Sequence, residues 1–90
     1  MLITFDPAKR DATLSARGLD MAEAGKMFAG AVVERHDDRF DYGEVRTLAV
    51  GMLNGAVVAI VFTDRGEVRH IISMRKATKG EQDDYFRRMG

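Results

Sequence analysis

The chain has 90 residues, its 14 Lys plus Arg balance 14 Asp plus Glu, and it contains no cysteine. Hydrophobic residues make up 46% and charged residues 31%. This suits one small globular domain over residues 1–90 and excludes a disordered chain or a large two-domain enzyme. Disulfides, a thiol nucleophile and thiolate metal sites are excluded as well.

Residues 2–5 predict a short strand. Asp6-Pro7 predicts a helix start, with Asp6 as cap and proline at the first position, and Gly18 predicts its end. A second helix is expected from Asp20, with Glu23 at capping-box spacing and Met21, Ala24, Met27 and Phe28 as a core stripe; Gly30 ends it. Residues 31–36 read as a strand and 37–43 as a polar loop. Residues 44–52 alternate, and Asn54-Gly55 is a hairpin signal. Residues 57–63 are apolar on both faces, as in a central strand covered on both sides. Asp64-Arg65-Gly66 makes a second turn, and residues 67–75 form the last strand. Thr78 with Glu81 predicts a capping box and a short helix to about Arg88. The expected class is α+β: an antiparallel meander with two N-terminal helices and a short C-terminal helix, the helices packed on one face of the sheet.

The longest apolar run, Ala56 to Phe62, is far below the ~20 residues of a membrane helix. The first residues lack the basic and apolar regions of a signal peptide, so a cytoplasmic protein away from membranes is expected. His36 and His70 stand on different predicted strands, and there is no phosphate loop or nucleophile elbow. No metal and no cofactor are expected.

Three charged segments stand out. Lys9 is either a solvated lysine in a first helical turn or a cation beside an anionic ligand there. Glu44 and Arg46, two apart on a strand, share a face as a surface ion pair or as a carboxylate and guanidinium of a site. On the last strand, period two places Arg69, Ile71, Ser73 and Arg75 on one face and His70, Ile72 and Met74 on the other, unless a bulge intervenes. Arg75 and Lys76, where that strand meets the last helix, are either a solvated strand end or a phosphate clamp.

In this order, Asp6-Pro7-Ala8-Lys9, Gly18 before Glu23-Ala24, Gly43-Glu44-Val45-Arg46 with Gly51, and His70 to Thr78 with Glu81 and Tyr85 resemble the BrnT toxin family over nearly the whole chain. The resemblance implies a bacterial type II toxin with a RelE-like ribonuclease fold and an RNA substrate. It also implies a ribbon-helix-helix antitoxin of the BrnA kind, with operator DNA reached only through that antitoxin. Ala16-Arg17 stand where the family usually has Lys-His, Thr13 where it usually has Asn, Thr47 where it usually has Trp, and His70 where it often has Arg.

On this reading Arg46 and Arg75 stabilise the phosphorane charge, because a guanidinium fork matches phosphate oxygens. Glu44 acts as base or holds Arg46. His70 acts as acid or base, with an ordinary pKa of ~6.5. Lys9, Arg17 and Lys76 bind substrate phosphates, and no metal takes part. Six of the 14 cations fall between Arg69 and Arg88, so a basic patch is expected despite the neutral total. The alternative is a binding module that has lost turnover through the changes at Arg17 and Thr47 and serves autoregulation with its antitoxin.

Overall fold

A computed structural model describes residues 1–38 and 43–90. The elements are β1 (Leu2–Phe5), α1 (Pro7–Arg17), a 3₁₀ turn (Met21–Glu23), α2 (Ala24–Phe28), β2 (Val32–Asp37), β3 (Arg46–Leu53), β4 (Ala56–Arg65), β5 (Val68–Lys76) and α3 (Lys79–Met89). The class is α+β, in the element order expected. Of the predicted polar loop, residues 39–42 lie outside the described residues.

Local chemistry accounts for the helix ends. The Ala8 N–H donates to Asp6 Oδ1 at 2.9 Å, and Gly18 closes α1 at φ 69° by donating to the Leu14 carbonyl. The single helix predicted from Asp20 to Gly30 is instead a 3₁₀ turn followed by a short helix. Asp20 accepts from the Ala22 N–H and also from the Arg10 fork, at 2.8 Å to each carboxylate oxygen. The Arg10 bonds and the Ala22 N–H hold the Asp20 carboxyl at about 2. Glu23 is drawn to Lys26 at 2.6 Å and to Asn54, so the expected reciprocal cap does not form. At the other end of the chain the box is complete: Thr78 Oγ1 accepts from the Glu81 N–H and Glu81 accepts from the Thr78 N–H.

The sheet order is β1-β5-β4-β3-β2. The predicted meander of β2 to β5 is antiparallel, and β1 adds to it parallel to β5. Met21, Ala24 and Met27 are buried on one face against Ala49, Val58, Ile60, Phe62, Ile71 and Met74. Fully burying a side chain of this size contributes roughly 1.5–3 kcal/mol. The expectation that all helices share one face is corrected: α3 lies on the other. There Ala77 and Tyr85 are buried with Val50, Val57 and Ala59. The reason was visible in β4, whose two apolar faces both need cover. No helix among the described residues is long and apolar enough to cross a membrane.

One irregularity in the sheet redirects side chains. Val61 pairs with Ser73, but the next residue, Phe62, pairs with Ile71, so Ile72 is an extra residue in β5. A bulge of this kind reverses the alternation beyond it. Ile71 and Met74, three apart, therefore both face the N-terminal helices.

Gly51 on β3 is packed closely against both α2 and β2. A Cβ there would meet Val32 Cγ1 at 2.8 Å and Met27 Cγ at 2.9 Å. Both neighbours are packed against the core and must shift to make room, at a cost. Gly51→Ala is expected to lower stability by about 1–3 kcal/mol, read as a lower urea midpoint with an unchanged slope.

Candidate functional site

The sheet face that carries α3 is only partly covered by it. Opposed residues of paired antiparallel strands share a face, so the registers assign this surface. β2 brings Arg35 and Asp37, β3 brings Arg46 and Leu48, β4 brings Val61, Thr63 and Arg65, and β5 brings His70, Ser73 and Arg75. The bulge at Ile72 puts His70 on the same face as Ser73 and Arg75. Period two alone had set His70 opposite to them; that expectation is corrected.

A cleft of about 410 Å³ opens between the exposed end of β2 and the start of α3. Leu48 and Val61 line it together with Arg35, Asp37, Ser73, Arg75 and Glu81. One of its arginines, Arg75, is braced by a carboxylate. Arg75 grips Glu81 with both ends of its fork, at 2.7 and 3.0 Å. This bidentate bond fixes the guanidinium plane. The Arg75 fork, with the Thr78 N–H, holds the Glu81 carboxyl at about 2. Glu81 thus does two jobs at once, capping α3 and orienting Arg75.

Beside the cleft, Arg46 lies opposite Asp37 in the β2–β3 register. Its buried Nε is 4.0 Å from Glu44 Oε1, and Glu44 Oε2 also takes Arg65 at 3.2 Å. Glu44 precedes β3, yet it approaches Arg46 as its spacing suggests. Further along the face, His70 Nδ1 and Thr4 Oγ1 share a hydrogen bond of 2.9 Å, joining β5 to β1. That bond fixes the ring and leaves Nε2 for other work.

The structure therefore gathers four sequence-derived candidates, Glu44, Arg46, His70 and Arg75, on one face. Lys9, Arg17 and Lys76 are elsewhere. Lys9 Nζ donates to the Ile72 carbonyl, and Arg17 donates to the Met74 carbonyl at 2.8 Å, both on the edge of β5. Lys76 is exposed at the end of β5, pointing away from Arg75. The basic segment Arg69–Arg88 does not form one patch. Arg69 faces the N-terminal helices, lies over the Phe62 and Phe28 rings at 4.0 and 4.7 Å, and pairs with Asp64. Lys79 pairs with Asp83, and Arg87 and Arg88 with Asp84.

Sequence reasoning missed Arg35, Asp37 and Ser73 as site residues, Glu81 as the partner of Arg75, and Thr4 as the partner of His70. Period two on β2 would have found the first two. The others depend on the bulge and on the pairing of β1.

Residues 5–81 match the family model described as ribonuclease toxin, BrnT, of type II toxin-antitoxin system. No curated protein matches the chain.

The Glu81 carboxyl is depressed in the fold, so its contribution to stability is present above the ordinary carboxylate value and is lost as the pH falls from about 4.5 towards 2. Glu81→Gln should be less stable than the parent at pH 7. It should also lose less than the parent between pH 5 and pH 2.5. Urea midpoints across that range check both.

Proposed function

The chain belongs to the BrnT ribonuclease toxins of type II toxin–antitoxin systems, and we propose that it cuts RNA on the arginine-lined face beside α3. The observation that carries this reading is the bidentate Arg75–Glu81 bond at the mouth of the cleft. It presents a guanidinium with a fixed plane, which is what a transient phosphorane requires.

The proposed reaction is metal-independent. The ribose 2′-oxygen attacks the adjacent phosphorus as its proton is removed, and the P–O5′ bond breaks as the leaving oxygen gains a proton. The products are a 2′,3′-cyclic phosphate and a free 5′-hydroxyl. Arg75 and Arg46 stabilise the extra charge on the phosphoryl oxygens. Glu44, held between Arg46 and Arg65, keeps Arg46 in place or takes the 2′-proton. His70, oriented by Thr4, transfers a proton. A type II toxin has an antitoxin partner. We assign that partner to the ribbon-helix-helix class, with operator DNA contacted through the antitoxin.

The test is cleavage of a labelled RNA by the purified chain at low salt with EDTA present, beside Arg75→Ala. Cleavage should survive EDTA. It should fall by about 10²–10³-fold in the variant, with a circular dichroism spectrum like that of the parent. Full activity in a folded Arg75→Ala protein overturns the assignment. A folded parent that cuts no RNA favours the alternative of a binding module acting with its antitoxin.

A further inference from the structure

α1 stands apart among the helices, because none of its 11 residues is buried. Helices usually dock by an apolar stripe, and a helix without one needs polar anchors. Those of α1 are cationic. Arg10 grips Asp20, while Lys9 and Arg17 reach across to β5.

Their targets are specific. β1 covers the edge of β5 only as far as Ile71, the partner of Phe5. Beyond that point the edge of β5 loses its neighbouring strand, and its outward carbonyls need other donors. Lys9 takes the carbonyl of Ile72 and Arg17 takes that of Met74. Ile72 is the extra residue of the bulge, and Met74 stands between Ser73 and Arg75. Two donors from one helix therefore hold the stretch of backbone that turns Ser73 and Arg75 into the cleft.

We infer that Lys9 and Arg17 are positioning residues, which clamp the bulged edge of β5 and so set the direction of Ser73 and Arg75, and do not contact RNA phosphates. The catalytic part of this inference rests on the ribonuclease reading; the clamp itself does not. Without the clamp the bulged edge can shift, and Ser73 and Arg75 shift with it. Misplacing a reacting group by about 1 Å is enough to cost ~10²-fold in rate. A cation that binds phosphate behaves differently: removing it weakens binding and lowers the salt slope by about 0.7 for a single-stranded substrate.

The experiment compares Lys9→Met, Lys9→Arg and Arg17→Met with the full parent chain. It measures kcat, KM and the salt dependence of RNA binding, and it records the backbone amide resonances of residues 72–75. The clamp predicts that Lys9→Met lowers kcat by about 10- to 100-fold, with KM within about twofold and an unchanged salt slope. The amides of Ser73 and Arg75 should shift, and Lys9→Arg, which keeps a donor, should restore most of the rate. Arg17→Met should behave like Lys9→Met. The inference is overturned by a raised KM and a shallower salt slope with unmoved amides. Unchanged kcat in a folded Lys9→Met protein overturns it equally. A parent chain that cuts no RNA sinks the ribonuclease reading alone. The amides of residues 72–75 then decide the clamp, a shift supporting it and no shift refuting it.

Discussion

A single inserted residue in β5 decides what the sheet presents. With strict alternation, Arg75 would share a face with Ile71 and point at Met21 and Met27. The extra residue at Ile72 lets Ile71 and Met74 both enter that core. It also turns His70, Ser73 and Arg75 together to the face left partly open by α3. The apolar residues supply the force that holds this geometry. Relaxing the bulge would expel Met74 and bury a guanidinium among aliphatic groups, and burying an unpaired charge is far more costly than exposing a thioether.

The zero net charge acquires a local meaning. Most of the arginines described above have a named carboxylate, among them Arg10 with Asp20, Arg65 with Glu44, Arg69 with Asp64 and Arg75 with Glu81. Most of these pairs are partly exposed and add little to stability one by one. Their value lies in direction. A free arginine samples many rotamers, whereas a fork held on a carboxylate presents its remaining N–H groups along fixed lines. Because Glu81 also caps α3, the placement of Arg75 is tied to the first turn of that helix. The last helix is thus mechanically part of the cleft, although it contributes only one of the side chains that line it.

Much of the fold could be read from residue order. Asp6-Pro7 with Gly18, Thr78 with Glu81, and Asn54-Gly55 each mark a boundary through short-range hydrogen bonding or a required positive φ, and the structure has a boundary at each. The second predicted helix was only partly right, because Glu23 bonds Lys26 and, outside its own segment, Asn54, and does not return a cap to Asp20. The face of α3 was misjudged because a short polar helix carries few apolar positions. Only Ala77 and Tyr85 reveal its side, and they do so through contacts with β3 and β4. The candidate site was legible only as residue types, Glu44, Arg46, His70 and Arg75, which the structure brings to one face. Its assembly was not, since a bulge leaves no mark in residues 69–76 that period two can detect. Lys9 and Arg17 show the same limit from the other side: a cation in a helix looks alike whether it will meet a phosphate or a backbone carbonyl.

The pairing of β1 with β5 has a consequence in time as well as in space. Thr4 and His70 are hydrogen-bonded across 66 positions of the chain. Contacts of such separation form after local ones, because the loop-closure entropy must be met before they yield any return. The hairpins of β3, β4 and β5 can assemble from neighbouring residues, but β1 and α1 must wait for the last strand before they dock. A chain still emerging from the ribosome, with β5 not yet made, has its first strand unpaired and its cleft unformed. Synthesis order alone keeps this cleft from existing until β5 has been made.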